Sequence, residues 1–477
     1  MIELQIALQS RPGEVTGMKP RVGICSFVES SLREEVYRAR NPIAQQELEK
    51  AVTALESHVD IVYRTRQGIR CKKDVRDAVQ GLREAGADCS VFLVPIWSVP
   101  AHIVTAAQLL GLPILLLGNN RGDSISQTGL LAAGGALDQA GIRHKRIAGD
   151  LEDGATLDRV LSCLRALGAV HSLRGRTYGC FGGRSLGIST ATADESQWRR
   201  VFGVDIEHVD QSALIREAEK VDSRRVDALV SWIRDKFGAV EVSESDLQRQ
   251  ARSYLATQEL IKRLELDFIG VKCQTDLSDW YCLQCLSVSL LGDPYDAQGP
   301  KPPTICSCEA DCDGALTMQI LSLLSGGKPS ALMDIRSVTS DGLTLANCGA
   351  APTWFSRRAG AAELNARSIR LVPHVFGAAG GASLQFAFGC GEVTLARLCR
   401  RAGSYWMGIV PGVIPERTQT TTCQVGGPFP QALVEAALDR DDFIGSFGSN
   451  HMHVAPGNLV QELKVFCEMV DIGYRVY

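Results

Sequence analysis

Three carboxylates fall within five residues of the stretch Cys306-Ser-Cys-Glu-Ala-Asp-Cys-Asp-Gly: Glu309, Asp311 and Asp313. Carboxylates are hydrated and repel one another, so a cluster at the head of an apolar run, Ala315 to Leu324, has to be held by something. At a helix start, acidic side chains accept orphan N–H groups and complement the helix dipole, which accounts for one or two of the three. A hard divalent cation, which gathers oxygen ligands, accounts for at least one more. The other ligands must then come from elsewhere in the chain.

Glu309-x-Asp311-x-Asp313-Gly314 has the form of the first half of an EF-hand loop. The twelfth position of such a loop is a bidentate Glu, whereas here it is Ile320, so an EF-hand is excluded. Asp311-Cys-Asp313 also has the Asp-x-Asp form used by nucleotide-sugar glycosyltransferases, a pattern too short to decide anything alone. Asp334 sits among apolar neighbours in Leu332-Met-Asp-Ile, where a half-buried carboxylate needs a partner, either Arg336 or a metal. His451 and His453 share what reads as a loop before the C-terminal helix. If that loop is extended, their i, i+2 spacing is expected to aim them at opposite faces, with only one serving a site.

Cys282-x-x-Cys285, Cys306-x-Cys308 and Cys312 contain enough thiols for a zinc or iron–sulfur centre. Their apolar surroundings favour buried free thiols instead. The glycines Gly179, Gly182, Gly183 and Gly187 lack the G-x-G-x-x-G spacing of a dinucleotide loop and read as a tight strand-to-helix turn.

The elements that must position these residues follow from the chain's periodicity. From Arg21 apolar runs at 21–27, 59–63, 89–95 and 113–117 alternate with helical stretches near 42–57, 73–86, 99–110 and 155–167. That alternation predicts a parallel sheet covered on both faces. A second α/β unit starts at Thr177, with strands at 205–209 and 267–273 and helices near 211–219, 223–237 and 244–264. Beyond the Glu309 helix the texture becomes short strands broken by Gly and Pro, with an Asp341-Gly342 hairpin turn, and predicts a mostly-β, barrel-containing domain. The fold class is therefore α/β: two N-terminal Rossmann-like domains, 1–174 and 175–327, and a C-terminal β-rich domain, 328–477.

The 477 residues carry a net charge of −4 and no long basic run, which argues against nucleic acid or an anionic membrane as partner. The longest apolar stretches, such as Leu109 to Leu117, are too short to span a bilayer. The N-terminus, Met1-Ile-Glu-Leu-Gln, shows no secretory signal, and sixteen cysteines then read as reduced thiols of a cytoplasmic protein.

Taken together and in order, several segments resemble the L-fucose isomerase family, and more distantly the L-arabinose isomerases. They are Pro20-Arg-Val-Gly-Ile, Val94-Pro-Ile-Trp97, Gly270-Val-Lys-Cys-Gln274 with Asp279-Trp-Tyr281, Cys308-Glu309-Ala-Asp311, Met333-Asp334-Ile-Arg336 and Ser449-Asn450-His451. The resemblance implies metal ligands at Glu309, Asp334 and His451. It also implies two α/β domains with a C-terminal β-barrel-containing domain, and a homo-oligomer, a hexamer or a trimer. Lys272 and Thr275-Asp-Leu stand where the family has Gln and aromatic residues, which sets the sugar loop apart.

The chemistry so implied is aldose–ketose isomerisation of a monosaccharide through an ene-diol. A divalent ion, Mn²⁺, would bind sugar O1 and O2, and no organic cofactor is needed. Two carboxylates and one imidazole suit Mn²⁺. Glu309 and Asp334 are expected to double as the acid/base pair, and Asn450, Gln274, Trp97 and Trp280 to contact the sugar. Asp311 and Asp313 are assigned to capping and support. The alternatives are a non-catalytic sugar-binding or sensor protein on the same scaffold, or a metal-dependent epimerase or lyase.

Overall fold

The computed structural model describes residues 19–30, 32–416 and 429–477. The N-terminal segment read for a secretory signal lies outside them. The chain forms two compact units, one of residues 19–174 and 461–471 and the other of residues 175–460 and 472–477.

The first unit is built from β1 (Arg21–Ser26), α1 (Glu34–Leu55), β2 (Asp60–Arg64), α2 (Lys72–Glu84), β3 (Cys89–Val94), α3 (Pro100–Leu110), β4 (Ile114–Gly118), α4 (Ser126–Gln139), β5 (Lys145–Ala148) and α5 (Gly154–Leu173). The five strands make one parallel sheet in the order β2-β1-β3-β4-β5. Every residue of β3 and β4 is buried, as expected of central strands covered on both faces. On α2, Val75, Ala78, Val79 and Leu82 form the buried stripe, at the spacing of one helical face.

The alternation was legible here except at α4 and β5. Helix α4 has a stretch with three glycines, Gly129, Gly134 and Gly135, that weakens its helical pattern. Strand β5 is four residues long, lies at the sheet edge and begins Lys145-Arg146, so it lacks an apolar run.

The second unit opens with β6 (Thr177–Phe181), α6 (Glu195–Phe202), β7 (Asp205–Val209), α7 (Gln211–Glu219), α8 (Ser223–Lys236), β8 (Ala239–Val240), α9 (Glu244–Arg263), β9 (Phe268–Val271), α10 (Asp276–Trp280) and α11 (Cys285–Gly292). It continues with β10 (Tyr295–Asp296), β11 (Gly299–Pro300), β12 (Cys306–Cys308) and α12 (Cys312–Leu324). Strands β12-β9-β6-β7 form a four-stranded parallel sheet. Helix α12 has twelve buried residues out of thirteen and is apolar nearly all round, so it is a core helix rather than an amphipathic cover.

The remainder is β13 (Ala331–Thr339), β14 (Gly342–Ala346), α13 (Ala362–Ala366), β15 (Arg370–Pro373), β16 (Ala382–Gln385), β17 (Gly391–Arg401), β18 (Ser404–Ile414), β19 (Gln431–Glu435), α14 (Arg440–Ser446), β20 (His451–Pro456), α15 (Val460–Val470) and β21 (Gly473–Val476). Strands β17-β20-β13-β14-β19-β18 follow one another, and β18 pairs back onto β17, which closes a six-stranded ring with β21 attached outside to β18. The α/β class with a C-terminal barrel is thus observed. Closure removes the exposed edges that a six-stranded open sheet would present.

One local expectation fails. The segment of His451 and His453 is strand β20, not a loop. Residues two apart share a face in any extended chain, loop or strand, so the expectation of opposite faces misapplied the two-residue period, and the two imidazoles point the same way.

Candidate metal centre

The site forms where β12 ends and the barrel begins. Cys308 is the last residue of β12, and Glu309 and Ala310 follow with φ of 61° and 49°. Left-handed backbone at two consecutive non-glycine residues costs about 1–2 kcal/mol each, so the surroundings must over-determine this turn. It places Glu309 at the carboxyl end of a parallel sheet, where α/β folds gather their functional groups.

The other two residues come from the barrel. Asp334 on β13 and His451 on β20 are direct partners in the antiparallel register, so their side chains project side by side from one face. The three side chains meet. His451 Nε2 lies 3.4 Å from Glu309 Oε2 and 3.6 Å from Asp334 Oδ1. Glu309 Oε2 and His451 Nε2 are both buried, and neither makes a hydrogen bond.

Beneath them, Asp311 does three things at once. Its Oδ1 accepts the Gly314 N–H at 2.8 Å and caps α12, as the sequence suggested. Its Oδ2 accepts from Arg397 Nη1 at 2.5 Å and from His451 Nδ1 at 2.7 Å. Asp311 is 0% exposed and Arg397 1%, so this is a fully buried ion pair. Gly314 cannot carry a side chain here: a Cβ would come within 2.5 Å of Asp311 Oδ2 and 2.7 Å of His453 Nε2.

Asp313 is buried alongside and accepts from Trp198 Nε1 at 3.0 Å, Tyr405 OH at 2.9 Å and Arg400 Nε at 2.9 Å. His453 is fully buried, with Nδ1 beside the Ala396 carbonyl at 3.2 Å.

These contacts set the electrostatics. Burial opposes ionisation of Asp311, but the Arg397 charge and the His451 hydrogen bond outweigh it and hold the carboxyl well below the usual range. Burial likewise opposes charge on His451, yet the Asp311 bond and the Glu309 carboxylate push it up to about 10 when no ion is present. His453 goes the other way, down to about 3, because burial and the Arg397 charge both disfavour its cation. Burial raises Asp334, with the His451 charge acting against it. Burial pushes Asp313 up to about 6 despite Arg400 and Arg397.

The donor chemistry fits a divalent ion. Two buried atoms that could each bind a cation face one another without a bond, and a carboxylate oxygen completes the trio. Donors around an octahedral ion at about 2.1 Å sit about 3 Å apart. The separations of 3.4 and 3.6 Å exceed this by roughly half an ångström, and as they stand no three His, Cys, Asp or Glu side chains among the described residues are arranged to hold a metal ion. Asp311 supplies what a ligating imidazole ordinarily has, a carboxylate on its other nitrogen that fixes ring and tautomer.

The remaining candidates are placed as follows. Asn450 is exposed and precedes β20, with its carbonyl accepting from Ile335 N–H at 2.9 Å. Its side chain reaches Asp334. Gln274 lines a small cavity together with Glu309, Cys308, Cys348 and His374. Trp280 is 87% exposed on α10. Trp97 belongs to the first unit, half-buried on the loop after β3.

Sequence reasoning missed Arg397, Arg400, Trp198 and Tyr405. The available signal was Arg397 itself, a lone cation between Ala396 and Leu398 in a strand otherwise apolar enough to be buried.

Residues 19–175 match the first N-terminal domain of L-fucose isomerase, and residues 345–477 match its C-terminal domain. Among the candidates, Trp97, Asn450 and His451 fall within these ranges. The fold and these two matches define a sugar isomerase. The chain belongs to the L-fucose isomerase family, and its activity is aldose–ketose isomerisation of a sugar. Family membership suggests a divalent metal.

The chain is similar to a sulfoquinovose isomerase of Alkalicoccus urumqiensis, 24% identical over 312 residues, which are 64% of this chain and 67% of that protein. It is similar to another of Clostridium sp. (strain MSTE9), 23% identical over 367 residues, 74% and 76% of the two chains. An L-fucose isomerase of Haemophilus influenzae (strain PittEE) is 25% identical over 213 residues, 38% of this chain and 36% of its own. No helix among the described residues is long and apolar enough to cross a membrane.

Proposed function

We propose that Glu309, Asp334 and His451 hold a divalent ion, Mn²⁺, and that the chain interconverts an aldose and its ketose through an ene-diol. The observation that carries this reading is the meeting of the three side chains, with two buried donor atoms left without hydrogen bonds. When bound, the ion supplies Lewis-acid stabilisation of the negative charge that develops on the sugar oxygens.

The residues of the chain do the rest. His451 would offer its Nε2 lone pair to the ion once that nitrogen has given up its proton, while the Nδ1–H held by Asp311 fixes the ring and its tautomer. Glu309 and Asp334 each have two oxygens, so each can serve as a ligand and still carry a proton. One takes the proton from the carbon beside the carbonyl and one returns it at the neighbouring carbon, a pair of positioned groups worth about 10²–10⁴-fold. Gln274 shares a cavity with Glu309 and Asn450 reaches Asp334, which supports the reading that both hold sugar hydroxyls. Trp280, exposed on α10, offers a ring face to the sugar.

The substrate we infer is a hexose, with sulfoquinovose first. The support is that the sulfoquinovose isomerases among its relatives align over about two thirds or more of both chains, and the L-fucose isomerase over about a third. The protein acts as a homo-oligomer by the same family resemblance.

The test is metal-loaded protein incubated with sulfoquinovose, L-fucose and a panel of other aldoses in D₂O, followed by NMR. Deuterium at C1 or C2 of one sugar is expected, abolished by chelation and restored by Mn²⁺. Binding without exchange for every sugar would favour a sensor. Full turnover in rigorously metal-free protein would remove the metal-assisted reading.

A further inference from the structure

Two thiols stand against the turn that carries Glu309. Cys308 Sγ, at the end of β12, lies 3.9 Å from Cys348 Sγ, just beyond β14. No disulfide joins them, and both cysteines are free. Cys308 is buried, whereas Cys348 is partly exposed, so an oxidant in solution meets Cys348 first.

Both sulfurs line the same cavity as Glu309 and Gln274, and His374 lines it too. His374 Nδ1 accepts the Phe376 N–H at 2.9 Å, which leaves the ring proton on Nε2. That Nε2 is buried and has no hydrogen-bond partner. It is an N–H donor available to a thiolate in the same cavity, the kind of neighbour that marks a reactive cysteine rather than an inert core thiol.

We propose that Cys308 and Cys348 form a redox modification site: a peroxide converts them to a disulfide that stops turnover. The inference rests on the reading of Glu309 as a ligand and acid/base group. The chemistry balances with one peroxide. The Cys348 thiolate attacks one peroxide oxygen, the O–O bond breaks, and Cys348 becomes a sulfenic acid as hydroxide leaves. The Cys308 sulfur then attacks the Cys348 sulfur, the S–O bond breaks, and water departs with the thiol proton. Two thiols are oxidised and one peroxide is reduced to two waters.

A disulfide needs the sulfurs at about 2.05 Å. The gap of 3.9 Å must therefore close by nearly 2 Å. Cys308 is bonded directly to Glu309, whose left-handed backbone tolerates little displacement. Any movement of Cys308 that closes this gap displaces Glu309 from its place beside Asp334 and His451. The reversible step is the disulfide, which a dithiol reduces by exchange.

The experiment treats the Mn²⁺-loaded full chain with hydrogen peroxide, maps disulfide-linked peptides by mass spectrometry, and follows isomerase activity in the same samples. The expected result is a Cys308–Cys348 linked peptide whose yield tracks a loss of activity of tenfold or more, with both reversed by dithiothreitol. Cys308→Ser and Cys348→Ser, each compared with its own untreated activity, are expected to resist peroxide. Cys285→Ser, at a third thiol on the same cavity, is expected to form the link as the unmodified protein does.

Absence of the linked peptide, a Cys285–Cys348 link in its place, or a complete Cys308–Cys348 link with undiminished turnover would each overturn the proposal. The peptide map does not depend on what Glu309 does. Glu309→Gln in the same series reports separately on that assignment: wild-type turnover there sinks the reading of the site, while the map still decides the bond.

Discussion

Asp311→Asn removes one charge and leaves the side-chain shape unchanged, so its effect isolates what the carboxylate does. Oδ1 caps α12 and Oδ2 takes both Arg397 and His451. An Asn has one acceptor. If its oxygen keeps the cap, its NH₂ faces the Arg397 and His451 donors, and if it turns to serve them the cap is lost. Arg397 is 1% exposed, so it would remain as a buried cation without its anion.

Breaking a buried pair from one side costs about 3–5 kcal/mol. Loss of the partner that orients a ligating imidazole typically weakens metal binding about 10–100-fold. The expected outcome is therefore a drop in the urea midpoint equivalent to about 3–5 kcal/mol with an unchanged slope. In parallel, calorimetric titration should show Mn²⁺ affinity reduced at least tenfold. Arg397→Met in the Asp311→Asn background should recover part of the stability, because the orphaned charge goes too, and the double-mutant cycle should show a coupling above about 1 kcal/mol. A single Asp311→Asn variant within about 1 kcal/mol of the parent and within twofold in Mn²⁺ affinity would refute both roles. The capping role alone, inferred from sequence, predicts that milder result, since Asn caps a helix about as well as Asp.

The remaining expectations are more direct. Glu309→Gln and Asp334→Asn should each lower turnover by about 10²-fold or more while far-ultraviolet circular dichroism and the melting temperature stay near those of the parent. His451→Ala should lower the Mn²⁺ retained after gel filtration, measured by elemental analysis, whereas His453→Ala should retain it. The cost at His453 should fall on stability instead, about 2–4 kcal/mol for emptying a fully buried position. Asp293 is pushed up to about 7 by burial, against hydrogen bonds from Thr353 and Trp354. The folded state then holds a proton between about pH 4 and 7 that the unfolded chain has released, so stability falls as pH rises through that window. Urea midpoints at pH 5 and 7.5 should show that fall, and Asp293→Asn should flatten it.

What the sequence could and could not disclose follows from the range of the forces involved. The parallel sheets were legible because a strand buried on both faces must be apolar along its whole length, as β3 and β4 are. Strand β5 was not, because an edge strand needs no such run. The acidic cluster was legible as a cluster, and Asp311 as a cap, since capping is a contact between residues three apart. The division of labour inside the cluster was not. Asp311 is fixed by Arg397, 86 residues on, and by His451, 140 residues on, while Asp313 is fixed by Trp198, 115 residues back.

The histidines show the same limit in a sharper form. Residues two apart in an extended chain share a face, so Asn450-His-Met-His sets both imidazoles on one side, yet it does not say what each of them meets. Only pairing decides it, because β20 becomes a strand by lying between β13 and β17. That pairing sets Asp334 beside His451 and His453 beside Leu332 and Ala396. Both imidazoles face the start of α12, but they differ by one cross-strand neighbour each. One meets carboxylates and is driven toward its charged form, and the other meets apolar side chains and a guanidinium and is kept neutral. The proposed choice of His451 over His453 as a ligand thus rests on strand register, and a slip of β20 against β13 by two residues would exchange their surroundings.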